Sequence, residues 1–157
     1  MKVCYFWSAD WAIPRAAMKQ HAPEAEWVYT GDHDGQYWQE LEKRWGGDDL
    51  AVIEHDITIH DQVMPQFAAC REPFCSFAFG MFGNGSVLAT DSIGCVRYTA
   101  DAQRAVTVTD IKSCARTLTD DGLHIAWHYI EAPILDAFSA AGIGVHTHWP
   151  QVGHREK

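Results

Sequence analysis

The sequence contains no apolar run approaching the roughly 18 residues that a membrane span needs. Its first residues, Met1-Lys2-Val3-Cys4-Tyr5-Phe6-Trp7, lack the apolar core of a signal peptide and meet Asp10 early. These absences point to a cytosolic protein with no membrane span. Basic clusters are missing too. With 12 Lys and Arg against 21 Asp and Glu, the formal net charge is −9. The lack of a Lys/Arg patch argues against nucleic acid as a partner. Small anionic ligands stay open if a divalent cation screens the acidic groups. No Cys-x-x-Cys pair occurs, and the five cysteines (Cys4, Cys70, Cys75, Cys95 and Cys114) are an odd number. That argues against a disulfide framework or a zinc knuckle and for reduced thiols packed as small apolar residues. Cys70-x4-Cys75 leaves metal binding open, at an unusual spacing. Gly-x-Ser-x-Gly and His-Glu-x-x-His are also absent. The glycine-rich Gly80–Ser86 stretch is followed by no Lys-Ser/Thr, so it reads as a loop or hairpin connection rather than a phosphate loop.

What is present fits one globular domain. A length of 157 residues with 47% apolar and 21% charged residues suffices to bury a normal core. Lys2–Trp7 reads as a strand, and Pro14 at a helix N1 position opens a helix that stops near Pro23. Glu26–Tyr29 reads as a second strand, and a helix follows from about Gln36 to Trp45, closed by Gly46-Gly47. The apolar run Leu50-Ala51-Val52-Ile53 is then a buried strand. Strand, helix, strand, helix, strand is the order of a parallel α/β sheet. Beyond it, Asp61–Cys70 reads as a short helix, Phe74–Phe79 and Ile93–Tyr98 as strands, and Leu123–Ala141 as a long helix ending at Gly142. The tail Ile143–His148 reads as extended.

The chemistry concentrates at the end of the third strand. Leu50–Ile53 runs straight into Glu54-His55-Asp56, and ligands of α/β sheets bind at the carboxyl ends of the strands. Residues i and i+2 of a strand face the same way. Two neighbouring carboxylates repel each other unless a cation lies between them, and oxygen ligands suit Mg²⁺ or Mn²⁺. Five of the nine histidines (His124, His128, His146, His148 and His154) fall in the last 34 residues. His146-x-His148 would place two imidazoles on one side, with His154 beyond a Trp149-Pro150 turn. Any of these is either a metal ligand shared with Asp56 or a solvent-facing polar residue. On the long helix Trp127, Ile130, Ile134, Phe138 and Ala141 define the buried stripe, and Tyr129, Pro133 and Asp136 fall on the solvent face. Pro133 would kink the helix. Glu131 would sit at the core edge, where desolvation makes it a better general base; the alternative is a boundary carboxylate with a nearby partner. His124, His128 and Glu131 form a second conceivable metal triad.

Taken in order, Leu50–Ile57, Cys70-x-x-Pro-Phe-Cys-Ser-Phe77, Ile93-Gly-Cys-Val-Arg-Tyr98 and Trp127–His154 resemble a GT-A-type glycosyltransferase. In particular they resemble the small, compact glycosyltransferase-like proteins of actinobacteria and their phages. The resemblance implies an α/β, Rossmann-like sandwich, with a mostly parallel central sheet flanked by helices, over a single domain 1–157. Residues 1–60 would form the nucleotide-binding half and residues 61–157 the acceptor half with the metal-ligand tail. It implies a hexosyltransferase moving sugar from a nucleotide-sugar donor to a glycan or protein hydroxyl, with Mn²⁺ or Mg²⁺. Trp7 and Arg15 would contact the donor. Asp56 would ligate the metal, and Glu54 would reach the ribose or a metal-bound water. His148 or His154 would be the second metal ligand, and Glu131 the base that deprotonates the acceptor. The motif is Glu-x-Asp where such enzymes carry Asp-x-Asp. The chain is also short for the fold, so acceptor contacts would have to come from Gly80–Asp91 or a partner. A small metal-dependent hydrolase built on Asp56 and the C-terminal histidines is the alternative enzyme. A non-catalytic nucleotide- or protein-binding relative is the third reading.

Overall fold

Why the N-terminal half folds as it does follows from its alternating pattern. In the computed structural model, which describes residues 1–9, 11–31, 35–81, 87–115, 125 and 130–154, β1 (Lys2–Trp7) leads into α1 (Ala12–His21) and β2 (Glu26–Tyr29). Then come α2 (Gln36–Glu42) and β3 (Leu50–Glu54). Cys4 and Phe6 bury on one face of β1 and Tyr5 on the other. Leu50, Val52, Ala51 and Ile53 do the same for β3, so this strand has core on both sides, as a continuous apolar run requires. Gly46, at φ +84°, makes the left-handed turn between α2 and β3. Pro14 is the third residue of α1 rather than the first, still within the turn where its missing N–H costs nothing.

The second half supplies β4 (Ile57–Thr58), α3 (Val63–Ala69), β5 (Phe74–Met81), β6 (Val87–Ala89) and β7 (Cys95–Tyr98). It continues with α4 (Ala100–Ala105), α5 (Val108–Cys114), α6 (Glu131–Ala140) and β8 (His146–His154). The sheet order is β2-β1-β3-β7-β5-β8-β4, with β6 hairpinned onto β5. Parallel pairing of β2, β1 and β3 and of β5 with β8, combined with antiparallel joins at β7, β4 and β6, leaves five of the eight strands running one way. Helices α2, α4, α5 and α6 cover one face, and α1 and α3 the other. The result is an α/β sandwich with a mostly parallel sheet.

Several expectations change in this half. Helices α4 and α5 are additions to the elements read from the sequence, and Thr107 and Asp110 form a capping box at the start of α5. The described helix around Phe138 begins at Glu131, and Ile125 sits in a β-bridge, so one helix does not run through from Leu123. Pro133 is therefore in the first helical turn, buried, where proline is tolerated; it neither kinks the helix nor faces solvent. Ile130, Ile134 and Phe138 form the buried stripe, Asp136 is exposed as expected, and Ala141 is exposed rather than buried. Trp127, Tyr129, His124 and His128 lie outside the described residues, as does 82–86. The tail strand runs on past Trp149-Pro150 to His154 instead of turning there. No helix among the described residues is long and apolar enough to cross a membrane.

Candidate functional site

The acidic motif occupies the tight link between β3 and β4. Because β4 pairs antiparallel with the far end of β8, Ile57 lies opposite His154 and Thr58 opposite Gly153. This pairing carries His154 onto the motif, where its Nε2 lies 3.3 Å from Oδ2 of Asp56. Phe79 of β5 stacks on the His154 ring, with centroids 4.9 Å apart and planes at 15°, and fixes its orientation. Within this pair, Oδ1 of Asp56 and Nδ1 of His154 are buried and have no hydrogen-bond partner among the described residues. An unpartnered buried carboxylate oxygen is costly in an apolar setting and suits a bound cation. The Asp56–His154 separation also matches two adjacent ligands of an octahedral Mg²⁺- or Mn²⁺-sized ion, which stand about 3 Å apart. The donor set therefore fits a divalent metal.

Glu54 faces the other way, toward α2, where the Tyr37 hydroxyl donates to it. Its carboxyl is pushed up to about 7, chiefly by burial and then by the Asp56 carboxylate, with Glu131 adding and Tyr37 opposing. Glu131 accepts a hydrogen bond from the Ile93 amide at 3.1 Å through Oε1 and occupies the first turn of α6, where a carboxylate complements the helix dipole. It is exposed rather than lodged at the desolvated core edge that the sequence predicts. Three carboxylates, Glu54, Asp56 and Glu131, thus share one field at the carboxyl end of β3.

Trp7 and Arg15 line one small pocket, completed by Tyr5, Ala9 and Trp27. The Arg15 guanidinium lies 5.7 Å from the centroid of the Trp27 ring, and Trp7 packs on Tyr29 at 4.8 Å. Tyr5 ties this pocket to the acidic motif, since its hydroxyl donates to the His55 carbonyl at 3.2 Å. Sequence patterning marks Tyr5 and Phe79 as strand residues, yet nothing in it signals the Tyr5 hydroxyl bond or the Phe79–His154 stack.

His148 does not join this site. It lies six residues back along β8, beside Phe77, because β5 and β8 pair in parallel. Its ring stacks on Phe77 at 5.0 Å, meets Phe67 edge-on, and has His146 4.8 Å away on the same side, as the i, i+2 spacing predicts. Burial first, then His146 and Arg97, hold its pKa below the ordinary imidazole value. Of the two C-terminal histidines weighed for the metal, the fold brings His154 to Asp56 and takes His148 to α3.

No protein-family model matches this sequence, and no curated protein does. Solved structures match by shape. One is glucosyl-3-phosphoglycerate synthase from Mycobacterium tuberculosis in complex with Mn²⁺, UDP and phosphoglyceric acid. It is 10% identical, superposes over 99% of this chain and 71% of its own, and has a TM-score of 0.59. The same enzyme with Mn²⁺, UDP-glucose and phosphoglyceric acid gives 11%, 99%, 72% and 0.58. A protein from STIV covers 100% of this chain and 87% of its own at 8% identity and a TM-score of 0.53. At such identities the likeness speaks to architecture, and on that ground the chain has a GT-A-like fold.

Proposed function

We propose that this chain is a divalent-metal-dependent glycosyltransferase that moves a sugar from a nucleotide-sugar donor to a hydroxyl acceptor. The observation that carries the reading is the Asp56–His154 pair, drawn together by β4–β8 pairing with a buried, unpartnered carboxylate oxygen beside it. Fold neighbours that hold Mn²⁺ with UDP or UDP-glucose support it. Mn²⁺ or Mg²⁺ held by Asp56 and His154 would act as a Lewis acid on the departing diphosphate. The Trp7–Arg15–Trp27 pocket next to the motif offers aromatic faces for a base or sugar and a guanidinium for a phosphate. Glu54, near neutral pH both a donor and an acceptor, can hold a ribose hydroxyl while Tyr37 fixes its orientation. Glu131 takes the acceptor proton.

Calorimetric titration with UDP, GDP, ADP and TDP, each with Mn²⁺ and with EDTA, tests the donor site. One nucleotide should bind with Mn²⁺ and fail with EDTA and in Asp56→Ala. Folded protein that binds none of the four sinks the transferase reading. Glu131→Gln keeps an oxygen for the Ile93 amide, so it should leave nucleotide affinity intact and slow transfer by about a hundredfold or more. Unchanged transfer in that variant would reduce Glu131 to a helix-terminal residue.

A further inference from the structure

A second cluster of donors lies along the same strand, away from the acidic motif, and the proposed transfer makes no use of it. Cys70 ends α3, Cys75 is the second residue of β5, and His148 is the third residue of β8. The two sulfurs and a ring nitrogen of His148 all lie within 4.8 Å of one another. Parallel β5–β8 pairing sets Cys75 opposite His146 and Phe77 opposite His148, so all four residues share the face that α3 covers. Nε2 of His148 is buried and has no hydrogen-bond partner among the described residues. The walls are aromatic: Phe67 and Phe77 meet the imidazole on two sides. Soft sulfur, one imidazole and an aromatic lining are the donor chemistry of Zn²⁺ and a poor match for Mg²⁺ or Mn²⁺.

We infer that Cys70, Cys75 and His148 form a zinc site, separate from the acidic motif and independent of the proposed transfer. On binding, each thiol releases its proton to solvent and the neutral imidazole contributes a nitrogen lone pair. The two thiolates balance the charge of the ion. Tetrahedral ligand atoms stand about 3.5–3.8 Å apart, so the three groups close by roughly 1 Å through side-chain rotation. The fourth position falls to water or to His146, whose ring lies 4.8 Å from that of His148 on the same side. Arg97 supplies outer support. Its guanidinium donates to the Cys70 carbonyl at 3.1 Å, reaches the Cys75 sulfur at 3.8 Å, and is held by Asp49 at 3.0 Å. Such a site would pin the end of α3 to the central strands.

Cobalt is the probe that separates this site from the acidic one, because thiolate-to-cobalt charge transfer needs sulfur. The full chain, reduced, stripped with EDTA and desalted, is titrated with Co²⁺ and then with Zn²⁺. A thiolate charge-transfer band saturating at one equivalent and displaced by Zn²⁺ is expected. Asp56→Ala and Cys114→Ser should leave it unchanged. Cys70→Ser and His148→Gln, both at partly exposed positions and both checked for folding by circular dichroism, should each weaken Zn²⁺ binding by about a hundredfold. No band from reduced, folded wild type overturns the inference. So does a band that survives Cys70→Ser or His148→Gln at full strength, or one that disappears with Cys114→Ser.

Discussion

The two ends of β8 carry the same residue type to opposite chemistry. At its start His148 stands among two sulfurs and two phenyl rings; at its end His154 stands against a carboxylate. Both imidazoles are stacked on a phenylalanine of β5, Phe77 for one and Phe79 for the other. What differs is the strand or helix that each end meets. The near end lies over α3, which brings Cys70, whereas the far end pairs with β4, which brings Asp56. What a histidine is set against is thus decided by partners distant in sequence, and counting histidines near a terminus cannot assign its role.

The largest expected effect tests whether the ends are independent. Asp56→Ala should lower Mn²⁺-dependent nucleotide affinity by about a hundredfold to a thousandfold, since it removes the carboxylate proposed as a direct ligand. The same protein should keep its cobalt–thiolate band; loss of both signals would mean that the two ends form a single site.

Next in size is the surplus of negative charge at the acidic end. Glu54 is raised to about 7 in the folded protein from an ordinary 4.5, so its stability contribution is full below pH 4.5 and is lost as pH rises through 7. Without metal, wild type should lose about 2 kcal/mol from this group between pH 5 and pH 8, after discounting for partial exposure. Glu54→Gln should lack that loss. Parallel urea-denaturation series at the two pH values, run in EDTA, would settle it, and equal slopes for both proteins would remove Glu54 from the charged cluster.

Gly153→Ala sharpens the comparison from the backbone side. A methyl there would stand 3.2 Å from the Thr58 Cβ, pushing β8 off β4 where His154 is placed. Nucleotide affinity with Mn²⁺ should fall several-fold, about 1 kcal/mol, with cobalt binding at the other end unaltered. An equal loss at both ends would show that the whole strand had moved.

The smallest effect lies away from both ends. Glu26 is held down to about 2 by hydrogen bonds from Arg44 and then Lys2. Its contribution is present above pH 4.5 and lost as pH falls toward 2. With the carboxylate 41% exposed, Glu26→Gln should cost under about 1 kcal/mol at pH 7 and nothing near pH 2, with both metal signals unmoved. A larger cost at pH 7 would make this ion pair more than a surface contact.

The half of the molecule from Lys2 to Glu54 was legible because local signals agree there. Apolar runs of strand length alternate with helical spacing at Tyr37, Trp38 and Leu41, and Gly46 turns the chain from α2 into β3. The acidic motif was legible for the same reason, as an apolar strand running into carboxylates. The course of β8 was not. Trp149-Pro150 carries a turn signal, and proline cannot donate to a ladder. The strand accommodates it with a register shift between Phe77 and Phe79, while Gln66 and His60 bond the carbonyls of Trp149 and Pro150. Those bonds join residues more than 80 positions apart, which no local pattern records. The exposed position of Glu131 is hidden for a similar reason, because helical periodicity finds a face but not where the helix begins.

The irregularity between Phe77 and Phe79 divides β8 into two short stretches. His146, Thr147 and His148 keep step with Cys75, Ser76 and Phe77, whereas Gly153 and His154 take their position from Thr58 and Ile57. The break works as an expansion joint: a displacement of a few tenths of an ångström at one end can be taken up there before it reaches the other.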